Sequence, residues 1–146
     1  MITLQQWLDA YGESHRNPKN VAIHKICIPL ILFSILGFLS ALPLPLNAAW
    51  LLVAAGVLFY ARLSLRMALA MLALCLVMLS VLYGLRHAGL DLLSLSAVLF
   101  VLAWIGQFAG HRIEGRKPSF FEDLRFLMIG PAWTLASLTQ HCRIRW

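Results

Sequence analysis

Three of the five histidines in this 146-residue chain sit at spacings that suit ligand or proton chemistry. Tyr11 and His15 are four apart, as are Asn20 and His24, and Gln107, His111 and Glu114 fall at i, i+4 and i+7. On helices such spacings place each set on one face. Neutral imidazole is the commonest side-chain ligand for zinc, iron and related ions. A redox iron needs several N or O ligands with positions left open for substrate and oxygen, which histidines from different helices can supply. Glu114 is a further candidate ligand, or a carboxylate orienting His111; Gln107 and Asn20 are candidates for the orienting role, and Tyr11, Glu114 and Gln107 are the candidate catalytic residues.

The elements that must position these residues belong to a membrane protein. Hydrophobic residues make up 61% of the chain and charged residues 12%, against about 25% charged in soluble domains. That surface cannot face water on all sides. The formal charge of +6, from 12 basic and 6 acidic residues, is too scattered for a phosphate-binding stripe, so no nucleic acid partner is expected. Cys27, Cys75 and Cys142 form neither a disulfide framework nor a zinc ribbon. The expected fold is all-α, with about four transmembrane helices plus N-terminal and C-terminal interfacial helices.

No charge occurs between Lys25 and Arg62, which is long enough for two spans, Ile26 to Leu42 and Asn47 to Ala61, divided by Pro43 and Pro45. Met67 to Leu85 and Leu92 to Gly110 are the next two, and Phe126 to Gln140, interrupted by Gly130-Pro131, is expected at the interface or packed on the bundle. Four spans leave Arg16, Lys19, Lys25, Arg62, Arg66, Arg112, Arg116, Lys117, Arg125, Arg143 and Arg145 on one side and only Arg86 on the other. Eleven against one puts both termini in the cytoplasm. Five spans would give nine against three. One domain is expected over 1–146: interfacial helices to 25, a membrane bundle over 26–111 and a cytoplasmic or interfacial segment from 112. The opening residues lack the basic n-region of a secretory signal. Compactness favours a bacterial inner membrane, with endoplasmic reticulum as the eukaryotic alternative.

Local signals sharpen this picture. Thr3 and Gln6 fit a capping box, and Leu4, Trp7, Leu8 and Tyr11 follow as an amphipathic stripe. Asn17-Pro18 ends that helix and starts one running into the first span. This break can turn His15 and His24 toward one point, which an unbroken helix would place on opposite faces. A second capping box, Ser119 to Glu122, opens a helix after Pro118.

Plainer roles stand beside the chemical ones. Each histidine alone is more often an interfacial residue, Gln107 and Asn20 can bridge helices, and Glu114 can pair with Arg112, Arg116 or Lys117. Trp7, Trp50, Trp104, Trp133 and Trp146 read as belt anchors, and Met67, Met71 and Met78 as packing. Cys27 and Cys75 read as small buried apolar residues. His87 falls on the far side and His141 near the end, so both are set aside.

Two long, irregular strings bind these features together. One runs from Tyr11 through His15, Asn17, Pro18, Asn20 and His24 to Pro29; the other from Trp104 through Gln107, Phe108, Gly110, His111 and Glu114 to Pro118. In order and spacing they resemble the signatures of the Mpo1-like family of small membrane proteins. The resemblance covers most of the chain, the middle helices matching only in hydrophobicity. Departures are Ile113 before Glu114, Ser119 after Pro118, and Ser137 where the family tends to carry Glu. The resemblance implies an Fe(II)-dependent dioxygenase of fatty acid α-oxidation, which takes a long-chain 2-hydroxy fatty acid and dioxygen to the one-carbon-shorter acid and carbon dioxide. It carries the family histidines onto His15, His24 and His111.

A 2-hydroxy carboxylate can chelate a metal while its tail stays in lipid, so the site is expected near the interface. Lys25, Arg112 and Arg116 are candidates to attract the head group, Tyr11 to donate a hydrogen bond or proton, and Asn17 and Asn20 to support the ligands. No glycine-rich phosphate loop suggests a nucleotide cofactor. A di-metal lipid hydroxylase would want more histidines. The alternative outside catalysis is a lipid-binding or assembly protein whose histidines bridge helices. Polar groups cluster at one membrane edge, which is unlike a transporter with its sites at mid-bilayer.

Overall fold

The computed structural model describes residues 2–117 and 125–139. The Ser119–Glu122 capping box, His141, Cys142, Arg143, Arg145 and Trp146 lie outside the described residues. Within them are six helices and no strand: α1 Leu4–Gly12, α2 Pro18–Ala41, α3 Ala49–Ala61, α4 Leu65–His87, α5 Leu92–Glu114 and α6 Phe126–Leu138. This is an all-α membrane protein. Three helices, α2, α4 and α5, are long and apolar enough to cross a bilayer. The second expected span is shorter: α3 has 13 residues, about 20 Å at 1.5 Å per residue against a hydrocarbon core of about 30 Å.

The caps explain the boundaries. Thr3 Oγ1 accepts from the Gln6 amide while Gln6 Oε1 accepts from the Thr3 amide, closing the box that starts α1. Asn17 Oδ1 accepts from the Lys19 amide, and Pro18 occupies the first helical position of α2, where its missing N–H costs nothing. Asp91 accepts from the amides of Leu93 and Ser94 to open α5. α5 continues one turn past the expected end at Gly110, through His111 to Glu114. Gly115 then stops it at φ 73°, in the left-handed region that glycine enters without strain.

The described chain forms two compact units, divided within α2 and α5. One comprises residues 30–102. Here Leu36, Ala49, Val53, Cys75, Met78, Leu82 and Leu92 form a buried core, with α3 packed on α4. A Cβ on Gly37 would collide with Ser96, so α2 and α5 approach closely there. Asn47 Nδ2 donates to Ser40 Oγ at 3.2 Å and Arg86 Nη1 to the Ser40 carbonyl at 3.2 Å. The end of α2, the start of α3 and the end of α4 therefore gather together, so successive helices are antiparallel. Outward residues such as Leu51, Leu65 and Val77 are exposed, as lipid-facing positions must be.

The other unit comprises residues 1–29 and 103–146. Its helices are α1, the start of α2, the end of α5 and α6. Leu4, Leu8 and Tyr11 of α1 are buried, and Trp7 meets Phe126 edge-on at 5.5 Å between ring centres. The apolar stripe of α1 is thus spent on α6, which carries small buried residues Gly130, Ala132, Thr134 and Ser137.

Candidate metal centre

All three histidines of the two signatures lie in this second unit, and all three are buried. His15 comes from the turn between α1 and α2, His24 from α2, and His111 from the last turn of α5. Each ring offers one nitrogen to a cluster in which these atoms lie within 4.8 Å of one another. The rings stand nearly perpendicular in pairs, with centres 4.3 Å apart for His15 and His24 and 4.7 Å for His24 and His111.

Backbone carbonyls set the tautomers. His15 Nδ1 lies 2.7 Å from the Tyr11 carbonyl, and His24 Nδ1 lies 3.0 Å from the Asn20 carbonyl, each one turn back. A carbonyl only accepts, so Nδ1 carries the proton in both and Nε2 keeps its lone pair. This is the arrangement that metal-ligating histidines use. His24 Nε2 and His111 Nε2 are 3.1 Å apart. Two nitrogens each about 2.1 Å from one ion are separated by about 3.0–3.4 Å at angles of 90–109°. His15 Nε2 and His111 Nδ1 are buried without a hydrogen-bond partner, which ordinarily costs about 1–3 kcal/mol per group. The donor set, its spacing and the unsatisfied His15 nitrogen fit a bound transition metal. Three neutral imidazoles suit iron, zinc, copper or nickel and leave coordination positions open.

Burial pushes the His15 pKa down, opposed by the Tyr11 carbonyl and by Glu114, so the ring is held in the neutral form that a metal requires. Burial also raises the pKa of Tyr11. Its phenol therefore keeps its proton at neutral pH. The Tyr11 ring stacks on His15 at 4.3 Å, and Trp133 of α6 closes on both, at 5.4 Å from Tyr11 and 5.2 Å from His15.

Glu114 lies beside the cluster, and its carboxylate is fully employed elsewhere. It accepts from the Arg16 amide at 3.0 Å, the Asn17 amide at 2.9 Å and Asn20 Nδ2 at 2.9 Å. The end of α5 is thereby fastened to the turn that carries His15 and to the first turn of α2. Asn17 and Asn20 meet Glu114 rather than any imidazole side chain, and Asn20 supports His24 through its carbonyl. Gln107 is buried one turn before His111. Lys25 is half-buried next to His24 in sequence, while Arg112 and Arg116 are exposed around the end of α5.

Two contributors escaped the reading of the sequence. Trp133 is a wall of the site rather than only a belt residue. Gly106 and Gly110, four apart on α5, let α2 come close: a Cβ at 106 would strike Cys27 Sγ and one at 110 the Asn20 side chain. That small-xxx-small spacing is the signal that marks the α2–α5 contact.

An all-helical membrane fold with a buried three-histidine cluster defines a candidate membrane metalloprotein. The chain belongs to the Mpo1-like family, whose model, described as 2-hydroxy-palmitic acid dioxygenase Mpo1-like, matches residues 1–142. It is 34% identical over 154 aligned residues to the Saccharomyces cerevisiae protein named 2-hydroxy-palmitic acid dioxygenase MPO1, covering 90% of this chain and 76% of the yeast protein. No solved structure matches the chain.

Proposed function

We propose that this protein is an Fe(II)-dependent dioxygenase that shortens long-chain 2-hydroxy fatty acids by one carbon. The observation that carries the reading is the convergence of His15, His24 and His111 from three segments, in a chain of this family. Oxygen chemistry requires a redox-active ion, which selects iron over zinc for the same nitrogen donors. When bound, Fe(II) supplies one-electron and dioxygen chemistry. The overall change, R–CH(OH)–COOH + O2 to R–COOH + CO2 + H2O, balances without any external reductant. The substrate loses four electrons as its C1–C2 bond breaks, and dioxygen takes up four.

The chain's own residues hold, orient and attract. His15, His24 and His111 are the ligands, and Glu114, Asn17 and Asn20 keep the ligand-bearing segments together. The protonated Tyr11 hydroxyl is a hydrogen-bond donor and not a base. Gln107 lines the same buried face of α5 and orients the head group. Lys25, Arg112 and Arg116 draw the carboxylate from the interface. Antiparallel packing of α2 to α5 supports four crossings, with both termini cytoplasmic and α3 crossing with help from its flanking residues. The membrane is a bacterial inner membrane, or the endoplasmic reticulum in a eukaryote.

A second reading draws on the 3.1 Å separation of His24 and His111, which also suits an N–H···N bond between neutral rings. In that reading the histidines only bridge helices. It leaves His15 Nε2 buried without a partner, which a metal would relieve. The test is to reconstitute the protein anaerobically with Fe(II), add 2-hydroxypalmitate and admit oxygen. The reading expects the C15 acid and carbon dioxide in equal amounts. No C15 acid from iron-loaded protein would favour the bridging reading or another substrate.

A further inference from the structure

In the unit formed by residues 30–102, a cavity of about 340 Å³ opens where α2 ends, α3 begins and α4 gives way to α5. That volume lies within the ordinary range of small-molecule sites, about 300–1,000 Å³. Leu79 and Leu82 form its apolar wall, Ser40, Ser80 and Arg86 its polar rim, and Trp50 a half-exposed side. Arg86 is the one base that the charge pattern assigns to this side of the membrane. Its Nη1 donates to the Ser40 carbonyl at 3.2 Å. Arg86 is exposed, and that bond ties down one of its N–H groups and takes none of its charge, leaving four N–H donors. No carboxylate lines the cavity. The neighbouring acid, Asp91, has both oxygens engaged in capping α5 through Leu93 and Ser94.

We propose that this cavity binds the anionic head of a bilayer amphiphile on Arg86, with the acyl chain along Leu79 and Leu82. A guanidinium with free donors selects a carboxylate or phosphate, and polar groups beside an apolar lining select a molecule with a tail. Both a free fatty acid and an acidic phospholipid present this chemistry, and the site is separate in sequence from every residue of the histidine centre.

Trp50 provides a local reporter. The full-length protein in uncharged detergent is titrated with dibromostearate, its methyl ester, and dibrominated phosphatidylglycerol and phosphatidylcholine, in buffer alkaline enough to ionise the acid. The difference in bromine quenching between wild type and Trp50→Phe isolates Trp50. Saturable quenching by an anionic lipid is expected, with half-saturation about tenfold lower than for its uncharged or zwitterionic counterpart. Arg86→Gln should remove that preference and Arg86→Lys should keep most of it. Preference for the acid over its ester assigns a fatty carboxylate, and preference for phosphatidylglycerol over phosphatidylcholine assigns a phospholipid. Equal quenching within both pairs, or an unchanged preference in Arg86→Gln, would overturn the proposal. Should that variant fail to fold, the paired-ligand comparison decides alone.

Discussion

Replacing Glu114 with Gln should weaken metal binding without touching a ligand. The carboxylate accepts three hydrogen bonds of 2.9–3.0 Å, from the Arg16 amide, the Asn17 amide and Asn20 Nδ2. Hydrogen bonds to a charged group are worth about 1.5–3 kcal/mol each, with the low end fitting this half-exposed side chain. Gln keeps one oxygen and turns an NH2 toward a donor, so the net loss is about 2 kcal/mol. These bonds fasten the His15 turn to the helix bearing His111. If bound metal must reorder that turn, the loss appears as an affinity about 30-fold weaker. Titration with Co(II), followed by its visible absorption against a competing chelator, measures it. Because Glu114 acts through His15, Glu114→Gln added to His15→Ala should weaken binding little further. Wild-type affinity in Glu114→Gln, or effects that simply add, would refute the role of this carboxylate.

Other consequences are open to measurement. The folded pKa of His15 lies below its unfolded value of about 6.5, so the unfolded chain binds the proton more readily. Stability of the metal-free protein should therefore be full above about pH 6.5 and fall as the pH drops below it, and His15→Gln should flatten part of that fall in a thermal scan. Gly110→Ala drives a methyl into the Asn20 side chain and should cost about 1–3 kcal/mol in denaturation. Gly37→Ala should cost a similar amount by meeting Ser96, while Ser96→Ala, which removes a buried hydroxyl without a partner, should recover part of it in the double variant. Tyr11→Phe preserves the ring that stacks on His15 and should keep metal occupancy while lowering turnover; unchanged turnover would remove the hydroxyl from the chemistry.

Much of the architecture could be read from where charges are absent, because lipid tolerates few unpaired charges. The starts of α1 and α2 were equally readable, since Thr3, Gln6, Asn17 and Pro18 act within a few residues of themselves. The third helix was readable in its end, since the uncharged run stops at Ala61 just before Arg62, and only its start differs, at Ala49 rather than Asn47. The partner of α1 was hidden, for an apolar stripe does not say whether it meets lipid or another helix; here it meets α6. At the site, the spacing around the Asn17-Pro18 break and the Gln107–Glu114 stripe brought forward the three histidines that converge. The employment of Glu114 could not be foreseen, because its partners at Arg16 and Asn17 are backbone amides nearly a hundred residues away and leave no mark on side-chain type. The place of Trp133 is hidden for a related reason: tryptophan serves a membrane belt and a site wall equally well, and here it packs on Tyr11 and His15.

The most direct test of the centre is iron content after anaerobic reconstitution and removal of loose metal, in wild type and in His15→Ala, His24→Ala and His111→Ala. One iron per chain in wild type and less than about a tenth in each variant is predicted, because in the proposed site each ring would supply one of three protein ligands. A wild type that retains no iron, or variants that each keep a full equivalent, would contradict a three-histidine metal site.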